Sequence, residues 1–265
     1  MNFFKVQLWT TGNYHWYLKQ EILAPKFEAN PGRFTHVSWH PERALDILFT
    51  TSNSSTEWSF AWDTLKSHSQ FPVDTGSVAV VDGTTLLLTP FRTQNVPPPM
   101  ASCSLPLKCS NPPIHTAFSP TGDHLAVLHH PKLLKLWKLQ TRLASGRNKA
   151  IDPLEVGEID LSAVLRGLDL RQIFIQEDPK ALGTFNVGAV GADDSSDVIV
   201  RAIYSGNSTQ EFKSVAMPDK NGRLLHSVEG VYWQSPSGNV FSGRFNIPVW
   251  LNLNFNKLPS SERNR

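Results

Sequence analysis

Residues 114–139 read IHTAFSPTGDHLAVLHHPKLLKLWKL and contain three short apolar runs, at 115–119, 124–129 and 133–139. Each run is rich in the β-branched, aromatic and leucine side chains that favour short strands. Between the first two runs, Pro120 presets φ and Gly122 closes a tight turn. The stretch therefore predicts three consecutive antiparallel strands.

The beginning of this stretch recurs earlier in the chain. Residues 35–41 (THVSWHP) align with residues 115–120 (HTAFSP), and Trp39 and Phe118 are 79 positions apart. A period of about 40–45 residues is typical of four-stranded propeller blades, so this separation corresponds to two blades. Between the two copies, Asp82-Gly83 separates two apolar runs and predicts a hairpin turn whose glycine takes a positive φ.

The unit at 114–139 matches the inner three strands of a WD40 blade, and residues 6–10 (VQLWT) repeat its final strand. The aspartate that usually follows the tryptophan of this strand is absent, since Thr10 and Lys138 stand in its place. The period, more than any signature dipeptide, therefore predicts an all-β fold, an incomplete WD40-like β-propeller.

The rest of the chain agrees with an all-β fold. About sixteen short strands are predicted in all, the others at 5–9, 16–19, 35–39, 45–50, 57–62, 77–81, 85–89, 172–176, 197–204, 211–216, 230–234, 240–245 and 248–253. Only residues 154–170 offer a competing pattern, with apolar side chains at three- and four-residue steps. A short helix and a strand remain equal alternatives there.

Length limits the number of blades. At about 40 residues per blade, 265 residues hold at most six, yet residues 5–19 resemble the closing strands of an earlier blade. We therefore expect closing strands of a first propeller and a linker at 1–24, a partial second propeller at 25–256 and a basic tail at 257–265. We expect a fragment or an abbreviated chain.

Composition excludes few classes of function. The net charge is +2, so the overall electrostatic field of the chain does not by itself indicate binding to nucleic acid or to a membrane. Cys103 and Cys109 are too few for a disulfide framework or a four-thiolate zinc site. No signal-peptide pattern begins the sequence, and no apolar run approaches the roughly 18 residues of a membrane span. We expect a cytoplasmic protein, with the nucleus as a second location.

Two longer strings resemble one family. Residues 7–21 (QLWTTGNYHWYLKQE) and residues 78–83 (VAVVDG), the latter followed by LLLTPFR at 86–92 and VPPPM at 96–100, are similar to the largest subunit of Elongator, the IKAP family. The resemblance is strong over residues 1–140 and is limited to strand layout over 141–265.

The resemblance implies a non-catalytic scaffold with no cofactor. Its expected partners are the other Elongator subunits, and its expected role is to support wobble-uridine modification of tRNA through protein–protein contacts, with tRNA contacted through the assembly. Homodimerisation is expected of the full-length family, but counterparts of its helical and dimerisation regions are absent here. The alternatives are a free-standing WD40-like adaptor and, with less support, a propeller hydrolase with its site in the central channel.

Residues suited to catalysis or metal binding do not form a convincing set. His115, His124, His129 and His130 do not obviously converge in the way a zinc site requires. No serine has a Gly-x-Ser-x-Gly elbow. Gly188-Ala189-Val190-Gly191 lacks the third glycine of a dinucleotide fingerprint and is interpreted as a hairpin bend.

Three surface features have two interpretations each. A basic stripe could contact tRNA phosphates, or it could keep strand edges soluble, which we favour; it consists of Lys132, Lys135, Lys138, Arg142, Arg147 and Lys149. The aromatic residues at 13–17 could stack on bases, but blade core is favoured. Residues 97–100 (PPPM) could bind a partner, but an extended connection between strands is favoured.

Overall fold

The structure is a computed structural model of the chain. The residues it describes are 4–12, 14–24, 32–60, 64–67, 76–91, 101–130, 132–142, 151–162, 169–177, 184–192, 197–205, 208–217, 222–225, 231–244 and 247–252. No helix occurs among these residues, and none is therefore long and apolar enough to cross a membrane. The predicted basic tail and residues 97–100 lie outside the described residues.

Within the described residues, twenty strands form six antiparallel sheets in chain order. The first sheet has two strands, β1 (Lys5–Gly12) and β2 (His15–Leu23). The next two sheets have three strands each: β3 (Phe34–Trp39), β4 (Asp46–Thr51), β5 (Ser55–Ser59); and β6 (Ser77–Asp82), β7 (Thr85–Pro90), β8 (Cys103–Pro106). The last three sheets have four strands each: β9 (His115–Phe118), β10 (His124–His129), β11 (Leu133–Lys138), β12 (Leu154–Asp160); β13 (Asp169–Glu177), β14 (Thr184–Ala192), β15 (Asp197–Ser205), β16 (Ser208–Ala216); and β17 (Arg223–Leu225), β18 (Val231–Gln234), β19 (Val240–Arg244), β20 (Ile247–Asn252).

The sixteen predicted strands correspond to strands of the structure. Four further strands, β8, β12, β14 and β17, were not among the sixteen. The helical alternative is wrong for Leu154–Asp160, which forms β12 along the side of β11. Hydrogen bonds to the open edge of β11 satisfy the backbone N–H and C=O groups of β12, whatever the spacing of its apolar residues. Residues 163–168 of that pattern lie outside the described residues.

The predicted hairpin bend at Gly188–Gly191 is also wrong. These glycines lie inside β14, where residue 188 pairs with Phe174 of β13 and Arg201 of β15. Hydrogen bonding to a strand on each side keeps the backbone extended, so these glycines do not mark a turn.

One type of turn recurs between neighbouring strands of three sheets. In the predicted turn, Gly122 has φ 76° and its N–H donates to Ser119 O at 2.9 Å, while Ser119 Oγ accepts from the backbone N–H of His124 at 3.1 Å. Ser235 accepts in the same way from the N–H of Asn239 at 3.1 Å, between β18 and β19. After β3, His40 Nδ1 takes the place of the serine hydroxyl and accepts from two backbone N–H groups. A side-chain acceptor thus fixes one corner of each of these sheets.

Most of the apolar core lies between neighbouring sheets. One cluster joins the sheet β9–β12 to β13 and β14 through Leu128, Leu134, Ile159, Ile173 and Val187. A second joins the sheet β6–β8 to the opposite face of β9–β12 and includes Leu86, Leu105, Leu125 and Trp137. Each sheet of this part of the chain therefore depends on its neighbours to bury its apolar faces.

The cluster between sheets gives a direct test. Leu128→Ala removes a side chain with 0% exposure in the first cluster, and we expect the free energy of unfolding to fall by about 2–5 kcal/mol, measured by urea denaturation. Leu154→Ala, at a side chain 54% exposed, is the matched control and should change it by less than about 0.5 kcal/mol. Equal effects of the two substitutions would contradict the assigned core.

His129 should make stability depend on pH. It is 4% exposed, and its ring nitrogens have no hydrogen-bond partner among the described residues. Burial lowers the pKa of His129, and Lys135 lowers it further, while Glu155 and Glu158 act in the opposite direction. The unfolded chain takes up the proton near pH 6.5 and the folded chain at lower pH, so stability is full above about pH 6.5 and falls as the pH drops below it.

We expect wild-type chain to lose more stability between pH 7 and pH 5 than the His129→Gln variant loses. The free energy of unfolding at each pH, from chemical denaturation, measures the difference. Because the other titrating groups are common to both proteins, identical pH profiles would show that His129 is not the responsible group.

Candidate functional site

The hairpin β1–β2 is shaped by a β-bulge. Leu8 pairs with Gln20 and Trp9 pairs with Leu18, so Lys19 is one extra residue on β2. A bulge reverses the alternation of faces beyond it, which is why Tyr17 and Ile22 are both buried on one face although they are five residues apart. Ile22 packs with the sheet β3–β5, in a cluster that contains Phe34, Ile47 and Phe49.

The bulge places Trp16 on the opposite, outer face. Trp9 and Trp16 are 46% and 62% exposed, and Leu23 is 56% exposed on the same face. The expectation that the aromatic residues at 13–17 form blade core is therefore correct for Tyr17 and wrong for Trp16, while Tyr14 is fully exposed. At the end of this face that is distant from Trp16, the Lys5 ammonium lies 2.9 Å from Glu21 Oε1.

The turn between β6 and β7 binds the inner edge of β2. Leu18 N–H donates to Asp82 Oδ1 at 3.1 Å, and Gly83 N–H donates to Leu18 O at 2.8 Å. Gly83 has φ 59°, as the Asp-Gly pair predicted. His15 Nε2 lies 3.4 Å from Asp82 Oδ2. We call these contacts the Asp82 junction.

Lys19 completes the Asp82 junction. Its ammonium donates to Val81 O at 2.8 Å and lies 4.9 Å from the centre of the Tyr17 ring. Burial lowers the pKa of Lys19 and the nearby Asp82 carboxylate raises it in part. Burial raises the pKa of Tyr17, and the Asp82 carboxylate raises it further. The two strings that carried the family resemblance, 7–21 and 78–83, therefore meet in space, which sequence reasoning did not predict.

Acidic residues of β12 and of the segment just before it lie beside the predicted basic stripe. The Lys135 ammonium lies 3.1 Å from Glu155 Oε1 and 3.4 Å from Glu158 Oε2. Burial alone would lower the pKa of Lys135, but these two carboxylates outweigh it and raise the pKa. Arg142 lies 3.7 Å from Asp152.

The stripe is thus partly neutralised where it is described. Lys132 precedes β11, Lys138 is exposed at its end, and Arg147 and Lys149 lie outside the described residues. A phosphate group would compete with the carboxylates of β12 for Lys135. The tRNA contact stays a prediction.

A cavity of about 300 Å³ lies where the first strands of the last three sheets converge. We call it the channel cavity; it is lined by residues of β9, β13 and β17 and by residues 64–66. Side-chain bonds connect the three strands: Ile173 N–H donates to His115 Nδ1 at 3.3 Å, and the Gln172 amide both donates to Leu224 O at 2.9 Å and accepts from Leu224 N–H at 3.0 Å.

The channel cavity bears on the hydrolase alternative. His115 is among its lining residues, but no aspartate or glutamate is among those described there. His124, His129 and His130 are not part of this lining. In the described part of the chain, no group of three or more His, Cys, Asp or Glu side chains could hold a metal ion.

Together, the all-β sheets in chain order, the repeated corner and the convergent first strands are the features of a β-propeller protein. The family model "ELP1 N-terminal second beta-propeller" matches residues 80–254, and "ELP1 first N-terminal beta-propeller" matches residues 3–42. The chain belongs to the family of Elongator complex protein 1. The predicted propeller fold and the family resemblance are confirmed, and the predicted boundary after residue 24 stays a prediction.

Curated relatives show the same family. Elongator complex protein 1 of Schizosaccharomyces pombe is 29% identical over 245 residues, which cover 91% of this chain and 18% of that protein. The protein of Saccharomyces cerevisiae is 40% identical over 96 residues (36% of this chain, 7% of that protein), and that of Mus musculus 36% over 137 residues (50% and 10%). The chain thus spans less than a fifth of the length of these relatives.

Two solved structures are similar at low identity. The Cps50 (Swd1) β-propeller domain of Myceliophthora is 10% identical, with a TM-score of 0.38 and coverage of 86% of this chain and 77% of that chain. The C-terminal WD40 domain of Sif2 is 11% identical, with a TM-score of 0.35 and coverage of 93% and 64%.

The Asp82 junction can be tested by one substitution. Asp82→Ala leaves the part-buried Leu18 N–H without its acceptor, so we expect the free energy of unfolding to fall by about 1–3 kcal/mol and the Leu18 amide to exchange faster with deuterium. Asp123→Ala, at an exposed aspartate in the turn before β10, is the control. Unchanged exchange at Leu18 in the Asp82 variant would contradict the junction.

Proposed function

We propose that this chain is a non-catalytic scaffold segment of Elongator that works through protein–protein contacts and supports wobble-uridine modification of tRNA. The observation that carries the proposal is the Asp82 junction. It connects Leu18, in the segment matched by the first-propeller model, to Asp82, in the segment matched by the second. A rigid connection between two propeller segments suits a protein that positions other subunits.

The outer face of β1–β2 is the surface that we propose for a partner subunit. Its members, which we call the Trp9 face, are Lys5, Gln7, Trp9, Thr11, Trp16, Leu18, Glu21 and Leu23. Exposed aromatic side chains beside a charged pair are typical of the centre and rim of protein interfaces. The opposite face is buried against the sheet β3–β5, so the hairpin is held while the Trp9 face remains exposed.

Pairing within the basic stripe supports a role in which tRNA is contacted through the assembly. Lys135 is paired with Glu155 of β12, and Arg142 lies 3.7 Å from Asp152, so phosphate groups would compete with these carboxylates on this surface. The proposed place of action is the cytoplasm, with the nucleus second.

The proposal is tested by changing the Trp9 face in the gene that encodes this chain. Trp9→Ala with Trp16→Ala removes two exposed aromatic side chains, which are enriched among residues worth about 2 kcal/mol or more at interfaces. We expect at least a tenfold loss of the other Elongator subunits in affinity purification, together with loss of 5-carboxymethyl-type wobble uridines in tRNA.

Trp39→Ala is the matched control, because Trp39 is 59% exposed but belongs to β3. It should leave recovery and modification unchanged. Full recovery of the other subunits with the double variant would contradict the proposed surface. A wild-type chain that migrates as a monomer, apart from any large complex, would favour the free-standing adaptor.

A further inference from the structure

Tyr14 occupies the tip of the hairpin β1–β2 in a strained backbone conformation. Gly12 pairs with His15 across the hairpin, so Tyr14 lies in the turn between the two strands. Its φ is 61°, in the left-handed region that residues with a Cβ rarely adopt. In the hairpin β6–β7 nearly the same φ, 59°, is taken by Gly83, which adopts it without steric cost. A tyrosine at this tip therefore lowers stability, and glycine or asparagine would largely avoid that cost.

The side chain of Tyr14 does not compensate for this cost within the described part of the chain. Its relative exposure is 110%, the highest among the exposed large apolar side chains that are described. It makes no hydrogen bond, ion pair or ring contact with a described residue. Strained residues of this kind cluster at functional sites, where the strain belongs to the function.

The tip of the hairpin is held in place by its neighbours. His15, the next residue, lies 3.4 Å from Asp82, and its ring packs edge-on against Tyr17 with the ring centroids 4.7 Å apart. Leu18, further along β2, is bonded to the turn between β6 and β7. An aromatic ring on a fixed turn loses little conformational entropy when it binds a partner.

The charges near the tip favour a protein partner over nucleic acid. A base-stacking platform works together with cations that contact the phosphates. Residues 11–18 include no lysine or arginine, and the Lys19 ammonium donates to Val81 O at 2.8 Å. The Asp82 carboxylate beside His15 would repel a phosphate group.

We propose that Tyr14 is the anchor residue of the surface that contacts another Elongator subunit, and that its ring enters an apolar pocket with a hydrogen-bond acceptor for the hydroxyl. Buried tyrosine hydroxyls normally find such a partner, and tyrosine is enriched among the residues that dominate binding energy. The inference rests on the proposed function, since it adds the tip of the hairpin to the Trp9 face. Trp16, two residues further on and 62% exposed, connects the two.

The test combines thermal unfolding of the isolated chain with affinity purification of the other Elongator subunits. Asparagine tolerates the left-handed region but lacks the ring, so Tyr14→Asn should raise the melting temperature by about 2 °C and lower subunit recovery at least tenfold. Tyr14→Phe keeps the ring and loses only the hydroxyl, so it should give intermediate recovery. Gln140→Asn is the matched control, because Gln140 is exposed, follows β11 and has φ 48°. It should leave recovery unchanged.

The outcomes separate this inference from the proposed function. Unchanged recovery with Tyr14→Asn, while Trp9→Ala with Trp16→Ala loses the subunits, would reject the anchor and leave the proposed function in place. Full recovery with both variants would reject both. Loss with Tyr14→Asn alone would support the anchor and place the contact at the tip.

Three further results would overturn the inference. They are an equal loss of subunits with Gln140→Asn, a lower melting temperature of Tyr14→Asn, and unchanged subunit recovery together with weaker crosslinking of the Tyr14→Asn variant to RNA. The second would show that the side chain stabilises the fold. The third would assign the ring to base stacking.

Discussion

The hydrogen bonds that join Leu18 to Asp82 and Gly83 are the constraint on which the rest of the account depends. They connect a two-stranded hairpin, which alone in water is marginally stable at best, to a turn 64 residues further along the chain. The turn must follow β6 directly and must contain a residue that tolerates a positive φ, which Gly83 supplies at 59°. Once the hairpin is held at this edge and packed on β3–β5, only one of its faces can remain exposed.

The β-bulge at Lys19 decides which face that is. Without the extra residue, Tyr17 and Ile22 would lie on opposite faces and the hairpin could not bury both. With it, both are buried and Trp16 joins Trp9 on the outside. The same residue contributes its ammonium to Val81 O, so a single insertion in the strand both defines the exposed face and strengthens the junction.

Local patterns predicted much of this fold because the signals were local. The Asp82-Gly83 and Ser119–Asp123 turns, and the strands on either side of them, could be read from neighbouring residues. The bulge could not, since alternation along β2 alone favours Trp16 as core. The pairing of Lys135 with Glu155 and Glu158 depends on strands about twenty residues apart, and the strand at Gly188–Gly191 depends on two partners that sequence does not reveal. The channel cavity was missed for the same reason, because His115, Gln172 and Arg223 are far apart in the chain.

The central claim is that the Asp82 junction holds the hairpin so that its Trp9 face contacts another subunit. Oxidative footprinting of tryptophan, read by mass spectrometry on the isolated chain and on the purified assembly, tests this most directly. The account predicts that Trp9 and Trp16 react readily in the isolated chain and are protected in the assembly, while Trp39 reacts equally in both. Equal labelling of Trp9 and Trp16 in the two samples would contradict it.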